Sequence, residues 1–182
     1  KIENKNEFTK KIDGFCEIFY TFTLENKSNT MKKILIVGAG GQIGTELTTY
    51  LRGIYGASNV VATDVRECKS LADDGPFEVL DALNPTNMAS VVARHNIDTI
   101  FNLVALLSAV GERNPQMAWG VNMGALLNAL EVARQHNFAV FTPSSIGAFG
   151  PTSPKDGTPQ DTIMQPTTIY GICKVTGELL SN

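Results

Sequence analysis

Short runs of consecutive apolar residues alternate with longer stretches of helical periodicity from Met31 to the end of the chain. Ile34-Leu35-Ile36-Val37 is apolar throughout and closes on Gly38, the pattern of a strand buried on both faces. The spacing then predicts a helix over about Gln42 to Arg52 and a second strand over Val60-Val61-Ala62-Thr63, ending at Asp64. Phe77-Glu78-Val79-Leu80 is a short third strand, Pro85 opens a helix to about His95, and Asp98 to Val104 is the fourth strand. Asn114-Pro115 opens a longer helix to about Gln135, with Trp119, Met123, Leu126, Leu127 and Leu130 at helical spacing. Phe138 to Thr142 is the fifth strand. A loop rich in Gly, Pro, Ser and Asp covers 147–166, and a last helix begins between Pro166 and Ile169. Strands that alternate with helices predict an α/β fold with a parallel sheet covered on both faces. Right-handed crossovers make it a doubly wound sheet of the Rossmann type.

Composition narrows this only a little. The 182 residues suit one domain with a sizeable core. A net charge of -3 offers no basic footprint for nucleic acid or for an anionic membrane surface. No segment is long and apolar enough to span a bilayer. Cys16, Cys68 and Cys173 are odd in number and lack paired spacing, so they read as reduced thiols of a cytoplasmic protein. His95 and His136 fall at predicted helix ends without ligand-type neighbours, and no metal site is expected. Residues 1–30 differ from the rest, rich in Lys, Asn, Glu and Thr. Glu17 interrupts their apolar run and no small-residue cleavage site follows. A non-native or disordered extension is expected there rather than a targeting peptide, with the domain itself over 31–182.

The candidate chemistry collects at predicted strand ends. After the first strand comes Gly38-Ala39-Gly40-Gly41-Gln42-Ile43-Gly44. Glycines there allow a tight turn, close approach of backbone N–H groups to a pyrophosphate, and close packing of the helix on the sheet. The helix N-terminus adds donors and partial positive charge. Asp64 follows about twenty residues later, where a carboxylate accepts from an adenosine ribose and repels a 2′-phosphate. That favours NAD over NADP, although Arg66 lies close by. Asp81 sits either against an adenine amino group or as a helix cap. Thr142-Pro143-Ser144-Ser145 follows the fifth strand, where a hydroxyl can hold a substrate oxygen, or simply serve a turn. Ser108 is either a loop serine or part of the same pocket. Asn122 is polar at an otherwise apolar helix position, and needs a buried partner: a structural bond or a water relay behind Lys174. Tyr170 and Lys174 stand one turn apart on one helix face. An ammonium beside a phenol favours the phenolate, as acid/base work requires, although the spacing alone is weak.

Taken together, these motifs resemble the extended short-chain dehydrogenase/reductase family, also described as NAD-dependent epimerases/dehydratases. Gly38-x-x-Gly41-x-x-Gly44, Asp64, Asp81, Asn102-Leu103-Val104-Ala105, Asn122, Ser145 and Tyr170-x-x-x-Lys174 match its first half in order. Asn102 departs from the histidine often found at that position. Within the family the chain is similar to epimerase-type L-threonine 3-dehydrogenases, over Ala105 to Glu112, Trp119 to Arg134, Phe141 to Pro151, Thr158 to Pro166 and Thr168 to Gly171. The resemblance implies NAD-dependent oxidation of the L-threonine 3-hydroxyl to 2-amino-3-oxobutanoate, a step of threonine catabolism. Tyr170 would be the base, with Lys174 lowering its pKa and Ser145 holding the substrate hydroxyl. Ser108 and Ser144 would shape the substrate pocket. It implies cofactor contacts from Gly38, Gly41, Gln42, Ile43, Gly44, Asp64, Asp81, Ala82, Leu103, Ala105 and Asn122, and from Tyr170 and Lys174. It implies a homodimer joined through the helix at 114–135 and the one beginning near 166. It also implies a chain about twice this domain's length, so these residues alone are expected to show little activity. Sugar-nucleotide epimerases or dehydratases share the catalytic trio, and a non-catalytic dinucleotide sensor would share the glycine loop.

Overall fold

Four buried apolar residues make β1 (Ile34–Val37) a strand with no face left for water, which places it inside a sheet. In the computed structural model, which describes residues 32–182, β2 (Val60–Asp64) and β4 (Thr99–Asn102) flank it, both parallel. Ile34 stands opposite Val60 on one side and Thr99 on the other. The shorter β3 (Phe77–Val79) and β5 (Ala139–Phe141) form the edges, giving the order β3-β2-β1-β4-β5, all parallel. This is the expected doubly wound α/β fold. The expectation of a non-native or disordered extension over 1–30 lies outside the described residues.

Alternation along the strands sends side chains to two cores. Leu35, Val37, Val61 and Ile100 pack under α3 (Pro85–His95) and α5 (Pro115–His136). Ile34, Ile36, Val60 and Ala62 pack on the other face against Leu51 of α1 (Gln42–Tyr55) and Leu71 of α2 (Lys69–Asp73). The two helices of the first face start and stop by the same local chemistry. Asn84 and Asn114 cap them through Asn87 N–H (3.1 Å) and Met117 N–H (3.2 Å), each with proline just inside. Each ends on a histidine followed by an asparagine in the left-handed region, Asn96 (φ 53°) and Asn137 (φ 54°). Arg52 ties the second face together. Its buried guanidinium donates to the carbonyls of Val60, Leu71 (2.7 Å) and Pro76 (2.7 Å). Burial pulls its pKa down, and Asp74 partly restores it.

The elements differ from expectation mainly at their ends. α1 continues past Arg52 to Tyr55, because Gly53 stays helical and the break comes at Gly56 (φ 87°). β4 ends at Asn102 rather than Val104, although Leu103 N–H still donates to Val37 O at 2.9 Å. α2 and the one-turn α4 (Ser108–Gly111) were not anticipated, since five and four residues are too few to register a helical period. The last helix, α6 (Ile169–Ser181), starts at the late edge of its expected range.

Candidate active site

Every candidate residue of the sheet lies at a carboxyl strand end, and chain order reverses between β1 and β4. Ligands of open parallel sheets bind in that crevice. The glycine turn after β1 is built for close approach. Gly38 adopts φ 84°, and its N–H and that of Ala39 both donate to Thr63 O at 2.9 Å. A Cβ on Gly44 would stand 2.4 Å from Gly38 O, so only glycine lets α1 start this close to the turn. Gln42 and Ile43 are exposed at the first turn of α1, with Gly41 as its cap. Asp64 closes the turn. Its Oδ2 accepts from Gly40 N–H (3.0 Å) and its Oδ1 from Arg66 N–H (3.2 Å). Gly40, Gly41, Asp64, Arg66 and Cys68 line a cleft of about 420 Å³.

Next along the sheet edge, Asp81 Oδ1 accepts from Leu83 N–H at 2.9 Å. It is not the helix cap, which is Asn84. Ala82 is buried beside it, and its carbonyl accepts from Asn128 Nδ2 at 2.9 Å. Leu103 and Ala105 follow β4, half-buried. Asn122 makes a structural bond. Its Oδ1 accepts from Leu106 N–H (2.6 Å) and its Nδ2 donates to Leu106 O (3.1 Å), which pins the strand-four exit to α5. Asn102 is buried at the end of β4, with no hydrogen-bond partner for Oδ1 among the described residues.

The second cleft, about 330 Å³, is where the acid/base candidates meet. Ser108, Ser145 and Tyr170 line it together with Ile146, Gly147, Phe149, Thr167 and Thr168. Ser145 Oγ accepts from Gly147 N–H (3.1 Å) and starts a single turn over Ile146–Ala148. That turn sits tightly on α6, since a Cβ on Gly171 would stand 2.1 Å from Gly147 O. Thr168 caps α6 through Gly171 N–H at 3.0 Å. Ser144 points elsewhere. Its hydroxyl donates to the Glu178 carboxylate, and it does not line the cleft. Lys174 Nζ lies 5.4 Å from the Tyr170 ring centroid and donates to Pro143 O at 2.7 Å. Burial pulls the Lys174 pKa below that of an ordinary lysine, opposed by Cys173. Burial pushes the Cys173 thiol up, against the Asn122 hydrogen bond and the Lys174 charge, so it is a packed thiol rather than a nucleophile.

Sequence reading missed Glu112, whose Oε1 accepts from Ile169 N–H at 2.8 Å, and Glu178, the partner of Ser144. Their partners are far along the chain, and no local spacing marks them.

A parallel sheet of this order, a glycine turn into a helix and an acidic end to β2 define a Rossmann-type dinucleotide-binding protein, with the Tyr/Lys helix beyond β5. The chain belongs to the NAD-dependent epimerase/dehydratase family, whose model matches residues 34–182. NAD is the cofactor of that family, and the exposed glycines Gly40 and Gly41 at the N-terminus of α1 leave the backbone N–H groups of that first turn open to its pyrophosphate. An uncharacterized epimerase/dehydratase of Staphylococcus haemolyticus is 56% identical over 152 residues, 82% of this chain and 48% of that protein. The L-threonine dehydrogenase of Clostridium difficile superposes with a TM-score of 0.80 at 49% identity, over 84% of this chain and 48% of that one. A GalE-like L-threonine dehydrogenase of Cupriavidus necator, in its holo form, gives 0.79 at 51% identity, over 81% and 48%. The chain thus spans about half the length of the relatives it matches. No helix among the described residues is long and apolar enough to cross a membrane.

Proposed function

We propose that the protein carrying this chain is an NAD-dependent L-threonine 3-dehydrogenase, oxidising the 3-hydroxyl to give 2-amino-3-oxobutanoate. The observation that carries this is the convergence of Ser108, Ser145 and Tyr170 on one cleft, with Lys174 over the Tyr170 ring. Identity of 49% and 51% to two L-threonine dehydrogenases supports this substrate over a nucleotide sugar.

NAD, when bound, supplies the acceptor for the hydride from the threonine C3. The glycine turn with Gln42 and Ile43 would hold its pyrophosphate, and Asp64 its adenosine ribose. Asp81, Ala82, Leu103, Ala105 and Asn122 would frame the adenine and nicotinamide sides. Ser145 donates to the substrate hydroxyl oxygen and orients it. Tyr170 takes the hydroxyl proton as general base, and the Lys174 ammonium stabilises the phenolate that does so. Lys174, an ammonium with three donors, would also donate to a ribose hydroxyl. Ser108 bounds the substrate from the other wall. Ser144 acts at one remove, by tying the strand-five exit to α6 through Glu178. A homodimer in the cytoplasm, joined through α5 and α6, completes the reading.

The test is the complete gene product with L-threonine and NAD, followed by NADH absorbance. NADH is expected to form, and Tyr170→Phe to lower the rate by about 100-fold or more. Conversion of UDP-galactose without NADH from threonine would make it a sugar-nucleotide epimerase. Tight NAD binding without turnover of any alcohol would make it a sensor.

A further inference from the structure

The two walls of the substrate cleft come from distant parts of the chain. Ser108 is the first residue of α4, and Tyr170 lies in the first turn of α6. The Glu112 side chain joins those elements by a hydrogen bond. Glu112 caps the C-terminal end of α4, its N–H donating to Ser108 O at 2.9 Å. Its carboxylate then reaches across 57 residues of sequence to accept from Ile169 N–H at 2.8 Å. Ile169 is the first residue of α6, and its N–H is one of the donors a helix leaves unsatisfied. Thr168 satisfies another, that of Gly171. The helix N-terminus also favours a carboxylate electrostatically. Packing reinforces the contact, since a Cβ on Gly111 would stand 3.1 Å from Ile169 Cγ2 and 3.3 Å from Ala118 Cβ. The path from Ser108 through Glu112 to Ile169 and Tyr170 therefore links the two walls of the cleft.

We infer that Glu112 is a positioning residue that sets the separation of the Ser108 and Tyr170 walls, and so acts on substrate turnover without touching substrate. The inference rests on the reading of this cleft as the substrate site. The glycine turn and Asp64, which would hold the pyrophosphate and the adenosine ribose, lie outside this path, so that half of the NAD site is independent of Glu112. Small displacements at such a site have large kinetic effects, because reacting groups must meet in a narrow geometry.

The complete protein and its Glu112→Ala and Glu112→Gln variants separate the possibilities. Glu112→Ala is expected to lower kcat/KM for L-threonine by about 10- to 100-fold, with NAD affinity and Tm unchanged. Glu112→Gln keeps an oxygen acceptor and is expected to restore most of that loss. Amide hydrogen exchange at Ile169 reads the same contact without substrate. It should accelerate in Glu112→Ala and return toward the parent rate in Glu112→Gln. Unchanged exchange, or unchanged threonine kinetics in an active parent, overturns the inference. A matched fall in NAD affinity and Tm also overturns it, since that marks a merely structural contact. If the parent itself fails to oxidise threonine, the substrate reading fails, while the exchange comparison still decides the role of Glu112.

Discussion

Adjacent residues of one type part company in this protein. Ser144 and Ser145 follow the same strand, yet Ser145 faces the cleft and Ser144 bonds Glu178 on α6. A strand end alternates its side chains between faces, so neighbours serve different partners. The Tyr170/Lys174 pair was legible from its spacing, because helix geometry alone puts both on one face. What spacing does not reveal is the burial of Lys174 and its bond to Pro143 O. Burial puts its folded pKa below the unfolded one, so the charged form is penalised and stability is regained only as pH rises through the folded value. Lys174→Met is therefore expected to leave Tm unchanged or higher at neutral pH while lowering dehydrogenase turnover by about 100-fold or more. Thermal melts beside the NADH assay decide this, and a large loss of Tm with activity retained would overturn it.

At the scale of elements, the edge strand β3 shows how a short strand is secured. It has three residues and an exposed outer side. Glu78 of β3 accepts from Arg94 and pairs with His95 at the C-terminal end of α3. Burial alone would raise the Glu78 carboxyl, but the hydrogen bonds from His95 and Arg94 and their charges outweigh it, and the net shift is downward. A depressed folded pKa means stability that is present above the ordinary carboxylate range and lost as pH falls through the folded value. Glu78→Gln is thus expected to melt below the parent at neutral pH, with the gap closing below about pH 4. Glu131, held at about 2 by Arg134 and Gln135, titrates alike in both proteins and cancels. Melting curves that stay parallel across the acid range would count against the clamp. The clamp was invisible in the sequence because Glu78 and its two partners lie on separate elements. The starts of α3 and α5 were readable from Pro85 and Asn114-Pro115, because a helix start acts within one turn.

At the scale of the molecule, α5 and α6 pack on one another through Met123, Leu126 and Cys173. They still leave Trp119 and Leu127 of α5 and Ile172 and Leu179 of α6 exposed, Leu179 by 69%. An apolar surface across two packed helices suits a second copy of the same surface. The complete protein is expected to sediment as a dimer, and Leu127→Asp with Leu179→Asp to give a folded monomer. A monomeric parent would remove the dimer from the proposed function.

The chain's own pattern determined the kind and order of its five strands and four longer helices, the glycine turn, the acidic end of β2 and the Tyr/Lys helix. Each of these is written in residues within one or two turns of each other, where backbone geometry and side-chain periodicity act directly. Tertiary structure decided which strands are neighbours, which serine of a pair faces the cleft, and that Glu112 meets Ile169. Those are outcomes of packing between segments far apart in sequence, and they depend on the whole sheet and its two cores being in place.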